Sequence, residues 1–318
     1  MSPRAANRVL ITGVAGFIGS WVARRFLEEG RQVVGVDDLS SGDLANVPRE
    51  VDFIQADLAS ASVARLLPRD CATVLHLAGQ SSGEISFDDP VADLQKNVVA
   101  TLQLIRHGIE CGAERLVYAS SMSVYGAVAD APVEESCRCT PLSCYGVGKL
   151  AAEGYLNVYR QRLPAVALRM FNVYGPGQNM RNLRQGMVSI YLAQALAGGL
   201  IEVKGDLERF RDFIYIDDVV ELWWRAASAP AALGRTLNVG TGSRTTVATL
   251  LERICALVPG SRYFVSAGTP GDQRGIYAAT AQLRECLRME RFTPLEEGLA
   301  RFLAWARQQP SSPGRADT

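Results

Sequence analysis

Tyr145 and Lys149 stand four positions apart in a chain of 318 residues. On a helix that spacing puts both side chains on one face. A phenol titrates near ~10, too high for a base at neutral pH, and a neighbouring ammonium favours the phenolate. The pair therefore predicts a tyrosine that takes a proton from a hydroxyl, its acidity raised by the lysine and by any further positive charge beside it. The same spacing also arises on any half-exposed helix face, so the reading depends on what surrounds it.

Thr12-Gly13-Val14-Ala15-Gly16-Phe17-Ile18-Gly19 places three glycines at equal spacing behind a short apolar run. Glycine lets a backbone turn tightly and approach a pyrophosphate, whose charge meets the free N–H groups of a following helix. Asp37 ends the next apolar run. A carboxylate there accepts hydrogen bonds from a ribose diol and repels a 2′-phosphate, so NAD is expected rather than NADP. Together the glycine turn and Asp37 predict a dinucleotide site beside the tyrosine and lysine. The tyrosine then takes its proton while hydride leaves for the nicotinamide, whose positive ring also favours the phenolate.

The elements that must hold these residues can be read from periodicity. Runs at 9–12, 33–36, 53–55, 73–77, 116–119 and 166–170 predict strands, and amphipathic stretches at 17–29, 92–110 and 145–161 predict helices between them. Such alternation implies an α/β fold, a doubly wound Rossmann-type parallel sheet with a smaller C-terminal substrate domain. The expected division is 1–171 as the NAD-binding domain, with 212–242 returning to it. Residues 172–211 and 243–309, the latter with a last helix at 294–307, form the substrate-binding domain. Residues 310–318, polar and rich in Pro, Gly and Ser, read as a frayed tail.

Composition narrows the class. Hydrophobic residues make up 48% and charged residues 21%, and Lys+Arg equals Asp+Glu at 33 each, so no global field holds nucleic acid or anionic lipid. No apolar run approaches the ~20 residues of a membrane helix. The polar segment 1–7 does not read as a secretory signal, and the odd count of 7 cysteines argues for reduced thiols. A cytoplasmic protein is expected. Cys137, Cys139 and Cys144 cluster without a nearby histidine, His76 and His107 being the only two, so no metal is expected.

Further segments extend the pattern. They are Ala56-Asp57-Leu58, His76-Leu77-Ala78-Gly79, the run from Ser120 to Gly126 containing Val124-Tyr125-Gly126, Tyr145-Gly146-Val147-Gly148-Lys149, Arg169 to Gly177, Arg211-Asp212-Phe213 and Asn238-Val239-Gly240. With the glycine turn, they make the chain resemble the extended short-chain dehydrogenase/reductase family, which contains nucleotide-sugar epimerases and dehydratases. The resemblance implies that Asp57 and Leu58 flank the adenine, and that Leu77, Ala78 and Gly79 border the cofactor together with Gly13, Gly16, Phe17, Ile18, Gly19 and Asp37. It implies that Asn97 supports the cofactor site, and that Lys149 holds the ribose hydroxyls while Tyr145 is the base. Ser121 then bridges Tyr145 and the sugar, Ser123 offers a second hydroxyl, and Asn172, Arg211 and Asp272 contact the nucleotide sugar.

Departures from that pattern carry information. Gly148 stands where relatives commonly have Ser or Thr. Met122 and Ser123 stand where dehydratases carry an acidic pair, and Ser123 where decarboxylases carry a glutamate, so elimination is disfavoured. Lys204 replaces an aromatic that stacks on the base. Thr269 replaces an arginine for which Arg274 is a nearby substitute, and Ile276 aligns with a side chain that gates an N-acetyl group without deciding the matter. The expected activity is NAD-dependent epimerisation at C4 of a nucleotide sugar, a UDP-sugar being favoured, through a 4-keto intermediate. A homodimer through 92–110 and 145–161 is expected. A dehydratase or decarboxylase, or a non-catalytic NAD-binding scaffold, is the alternative.

Overall fold

In the computed structural model, which describes residues 7–268 and 274–309, the N-terminal apolar run forms β1 (Arg8–Thr12), buried from Val9 onward. It is followed by α1 (Phe17–Glu28), β2 (Gln32–Asp37), β3 (Asp52–Gln55) and β4 (Thr73–His76). Next come α2 (Pro90–Leu94), a π-helical turn at Gln95–Val99, α3 (Ala100–Cys111), β5 (Arg115–Ser121), α4 (Cys144–Tyr159) and β6 (Ala165–Met170). These agree with the predicted strands and helices to within a few residues at each end, with one internal difference. The stretch read as one helix over 92–110 carries the π turn at Asn97, which periodicity alone does not register.

The later elements are shorter: β7 (Asn172–Tyr174), α5 (Met187–Gly198), β8 (Leu200–Lys204), β9 (Phe210–Arg211), β10 (Phe213–Tyr215) and α6 (Ile216–Ala226). Then follow β11 (Thr236–Val239), β12 (Thr245–Thr246), α7 (Val247–Leu257), β13 (Arg262–Ser266), α8 (Ala281–Leu287) and α9 (Leu295–Ala306). Thr269 and Asp272, singled out above, and the tail 310–318 lie outside the described residues.

Seven strands form one sheet in the order β11-β6-β5-β4-β1-β2-β3, every pairing parallel. A parallel sheet needs cover on both faces, which is why its strands read as nearly continuous apolar runs. Leu10, Ile11, Leu75, Leu116, Val117, Val166 and Leu168 have no more than 0% exposure. The chain reverses direction of winding between β1 and β4, and side chains at the C-terminal ends of those strands face a crevice there. Small two-stranded pairs, β7 with β10, β9 with β12 and β8 with β13, stand apart from the main sheet.

Asp212 ties the later segments together. Fully buried, it accepts hydrogen bonds from Thr241 N and Oγ1, Gly242 N and Ala278 N, at 2.6–3.1 Å. Burial raises its carboxyl above the usual range, and those donors oppose the rise.

Candidate active site

The crevice at the reversal is a cleft of about 920 Å³. Its floor is the glycine turn. Gly13 has φ +71°, and a Cβ on it would lie 2.7 Å from Ala78 N; a Cβ on Gly19 would lie 2.0 Å from Gly13 O. The first needs glycine for its backbone conformation, the second for the close seating of α1 on β1. Gly16 caps α1 without a side-chain bond and no acid occupies the first turn, so the helix N-terminus is open to an anion.

Asp37 is 8% exposed at the end of β2. Its Oδ2 accepts from Ala15 N at 3.0 Å and its Oδ1 from Leu39 N at 2.9 Å. Burial raises this carboxyl, against the pull of those two amides. Phe17, Ile18, Asp57, Leu58, Leu77, Ala78 and Gly79 line the same cleft. Asn97 lies behind Gly79: a Cβ on Gly79 would meet Asn97 Oδ1 at 2.5 Å and Lys149 Nζ at 3.3 Å. That Oδ1 is buried without a hydrogen-bond partner. An open glycine cradle, a diol-accepting carboxylate and an orphaned amide oxygen together form a donor and acceptor set that fits a dinucleotide.

Ser143 caps α4 by accepting from Gly146 N, and the first turn of this helix carries Tyr145 and, one turn on, Lys149. Both are buried, and both reach the cleft. Lys149 Nζ lies 5.0 Å from the Tyr118 ring centroid and 5.6 Å from that of Tyr145. The lysine by itself does not bring the tyrosine down. Burial pushes Tyr145 up to about 12, a hydrogen bond with Ser121 opposing it and Asp93 adding to it. Burial likewise pushes Lys149 down to about 8, with Asp93 opposing. Desolvation is the largest cause of both shifts.

Ser121 ends β5, and its Oγ donates to Ser123 Oγ at 3.2 Å and accepts from Ser123 N at 3.1 Å. The turn Ser121-Met122-Ser123 presents hydroxyls and a thioether and no carboxylate. Asn172 N donates to the backbone carbonyl of Asp212, the residue after Arg211, at 3.0 Å. Asn172 Oδ1 is buried without a partner. Arg211 is 5% exposed, donates to Phe210 O at 2.8 Å, and is pushed down to about 10 by burial and then by Arg209. Neither lines the cleft just described; Lys204 and Arg274 are exposed, and Ile276 is buried.

Sequence reasoning missed several cleft residues. Lys96 pairs with Asp38 and, at 3.2 Å, with Asp57 across its rim. Just outside the cleft, the exposed Arg184 binds Asp88 at 2.7 Å and Glu84 at 3.0 Å. Asp93 was also missed, though its place one turn before Asn97 was visible as a spacing. The two histidines are structural: His76 bridges Thr12 and Thr101 at 2.8 and 2.9 Å, and His107 meets Pro68 O at 2.9 Å. All seven cysteines are free thiols, and among the described residues no cluster of His, Cys, Asp and Glu is placed to hold a metal. No described helix is long and apolar enough to cross a membrane.

Comparison with known proteins adds independent findings. A family model described as the NAD dependent epimerase/dehydratase family matches residues 9–240. A UDP-glucose 4-epimerase of Mycolicibacterium smegmatis is 37% identical over 313 residues, 95% of this chain and 99% of that one. UDP-glucuronic acid decarboxylase 1 of Xenopus tropicalis is 28% identical, over 97% of this chain and 74% of that one. The crystal structure of UDP-glucose 4-epimerase from Thermotoga maritima with UDP-glucose superimposes with a TM-score of 0.91 at 31% identity, covering 95% of this chain and 99% of that one.

Proposed function

The chain belongs to the NAD dependent epimerase/dehydratase family and uses NAD, and from that premise we propose that it is a nucleotide-sugar 4-epimerase acting on a UDP-sugar. The observation that carries the choice of reaction is the turn Ser121-Met122-Ser123 beside Tyr145, which offers no acid to expel water or assist loss of carbon dioxide. Asp93, the carboxylate that does line this part of the cleft, is fastened to Asn97.

In this reading Tyr145 Oη takes the proton of the sugar C4 hydroxyl, with Ser121 Oγ holding that hydroxyl in line. NAD supplies the hydride acceptor when bound. Lys149 holds the ribose hydroxyls and keeps positive charge near the phenolate. The 4-keto sugar presents its other face, C4 takes back the hydride it gave up, and Tyr145 returns the proton to the same C4 oxygen. Asn172 and Arg211 hold the diphosphate, for which a planar guanidinium offers multidentate bonding.

We also propose a homodimer through α2 and α4. Val91 and Leu94 are 67% and 52% exposed on α2, and Val147 and Val158 are 54% and 70% exposed on α4. Apolar side chains gathered on two helices in contact with each other are the surface a second copy would cover.

The test is a UDP-sugar deuterated at C4. Label and mass should both be retained, with inversion at C4 read by NMR. A product lighter by water or carbon dioxide sinks the epimerase reading in favour of a dehydratase or decarboxylase. Tyr145→Phe should keep fold and NAD binding and lose turnover.

A further inference from the structure

A carboxylate stands behind the catalytic pair, on α2. Asp93 is 2% exposed and shares the cleft wall with Tyr145 and Lys149. Its Oδ1 accepts from Asn97 Nδ2 at 3.1 Å, one turn along. Its Oδ2 faces the space that Gly148 leaves open. A Cβ built on Gly148 would touch that oxygen at an ordinary 3.4 Å and press on Asn97 Cβ at 3.3 Å, so a side chain at 148 would bear first on the residue that holds the carboxylate. The absence of a side chain at 148 and the presence of an acid at 93 are thus two halves of one arrangement.

The charged and titratable groups here come from four elements. Lys149 and Tyr145 lie on α4, and Asp93 acts on both. Tyr118 of β5 feels Asp93, Tyr145 and Glu153. His76 of β4 sits behind Lys149, and burial pushes it down to about 3, so it stays neutral. Among the described residues no carboxylate pairs directly with Lys149; Asp93 acts on it from across the cleft wall, beside the faces of Tyr118 and Tyr145 and the backbone of Gly79.

We propose that Asp93 is a positioning residue for the tyrosine–lysine pair: it supplies the negative charge that holds the buried Lys149 ammonium and, through Asn97, fixes the wall behind Gly79. The proposal deepens the epimerase reading and rests on its assignment of Lys149 to the cofactor ribose. A buried lysine without a counter-charge gives up its proton near neutral pH and with it its hold on hydroxyl oxygens. The same charge makes the phenol harder to ionise, so it secures the lysine at some cost to the base.

Asp93→Asn removes the charge and keeps the shape, including an amide oxygen for Asn97. NADH binding to the full chain, followed by fluorescence from pH 6 to 10 (~4 units around the lysine's range), reads Lys149 without any sugar. Affinity should fall with rising pH in both proteins, and the fall should come ~1 unit lower in Asp93→Asn, a ~3-fold loss of affinity at the midpoint between them that approaches ~10-fold at higher pH. The alkaline limb of kcat should move the same way, with KM for the sugar unchanged. A wild-type profile that is flat, or one that Asp93→Asn leaves in place, overturns the proposal. Should Asp93→Asn melt early, Gly148→Ala gives a second route: it presses on Asn97, which holds Asp93, without removing the charge, and weaker NADH binding with an unshifted profile is expected, whereas unaltered binding counts against the arrangement. Failure to turn over any UDP-sugar, with the binding shift intact, would sink the epimerase reading and leave Asp93 in its role.

Discussion

Arg169 Nη2 meets Glu153 Oε2 at 2.7 Å between β6 and α4, with both side chains less than a tenth exposed. Arg169 Nε reaches the other oxygen at 2.9 Å, so the contact is bidentate, and the guanidinium lies 4.7 Å from the Tyr125 ring centroid. Ser120 donates to the same carboxylate, and Tyr125 Oη donates to Asn238 Oδ1 at 2.6 Å. The pair thereby joins α4, which carries Tyr145, to the strands beside it. Removing one partner of a buried pair leaves an uncompensated charge, at a cost of ~3–5 kcal/mol. Glu153→Ala should therefore lose about that much stability in denaturant unfolding, and a loss under ~1 kcal/mol would mean the pair is hydrated.

Asp37 should set cofactor preference. NADH is expected to bind more tightly than NADPH in a direct titration, and Asp37→Ala to narrow the difference. Because Asp37 also accepts from Ala15 N and Leu39 N, the variant should bind NADH more weakly as well. Preference for NADPH in the wild type would overturn the assignment.

Lys149 should cost stability. Held near 8 by burial against an ordinary value of 10.5, it binds its proton less tightly folded than unfolded. Between those two values the unfolded chain carries more protons, so stability rises with pH across that window; below it the full penalty applies. Lys149→Met should therefore be more stable than wild type at pH 7 by ~1–3 kcal/mol while losing turnover. The advantage should shrink as pH climbs through the window. Equal stability at both ends would show that the ammonium is well solvated.

Arg211 should clamp the diphosphate. Arg211→Ala is expected to raise the dissociation constant of the UDP-sugar ~10-fold or more, while Arg211→Lys, which cannot bond bidentately, should fall between. Isothermal titration with NAD present reads this, and an unchanged constant would separate Arg211 from the substrate.

What the sequence disclosed was local. The glycine spacing, Asp37 at a strand end and the Tyr145–Lys149 face each depend on one element and its period, and the strands of a buried parallel sheet announce themselves as apolar runs. Contacts between distant segments were not readable. Nothing in the sequence joins Glu153 to Arg169, or Lys96 to Asp38 and Asp57. The burial of Tyr145 was unreadable for a related reason: spacing reveals a neighbouring charge, whereas burial, the largest cause of its shift, is a property of the whole packing. Asp93 was passed over because an acid in the first turn of a helix reads as a cap-region charge.

The π turn at Gln95–Val99 makes one apparent helix into two with separate rotational settings. Each residue of an α-helix turns the chain by ~100°, so one residue accommodated in a wider turn re-indexes everything that follows it. Before the turn the helix addresses α4 through Asp93; after it, Thr101 Oγ1 addresses His76 at 2.9 Å and reaches back to Asn97 O at 2.6 Å. Asn97 sits at the joint between the two settings. Deleting a single residue there would leave composition and helicity nearly untouched, yet would rotate the active-site wall and the sheet-facing half out of phase. The segment thus tolerates substitution far better than it tolerates a change of length.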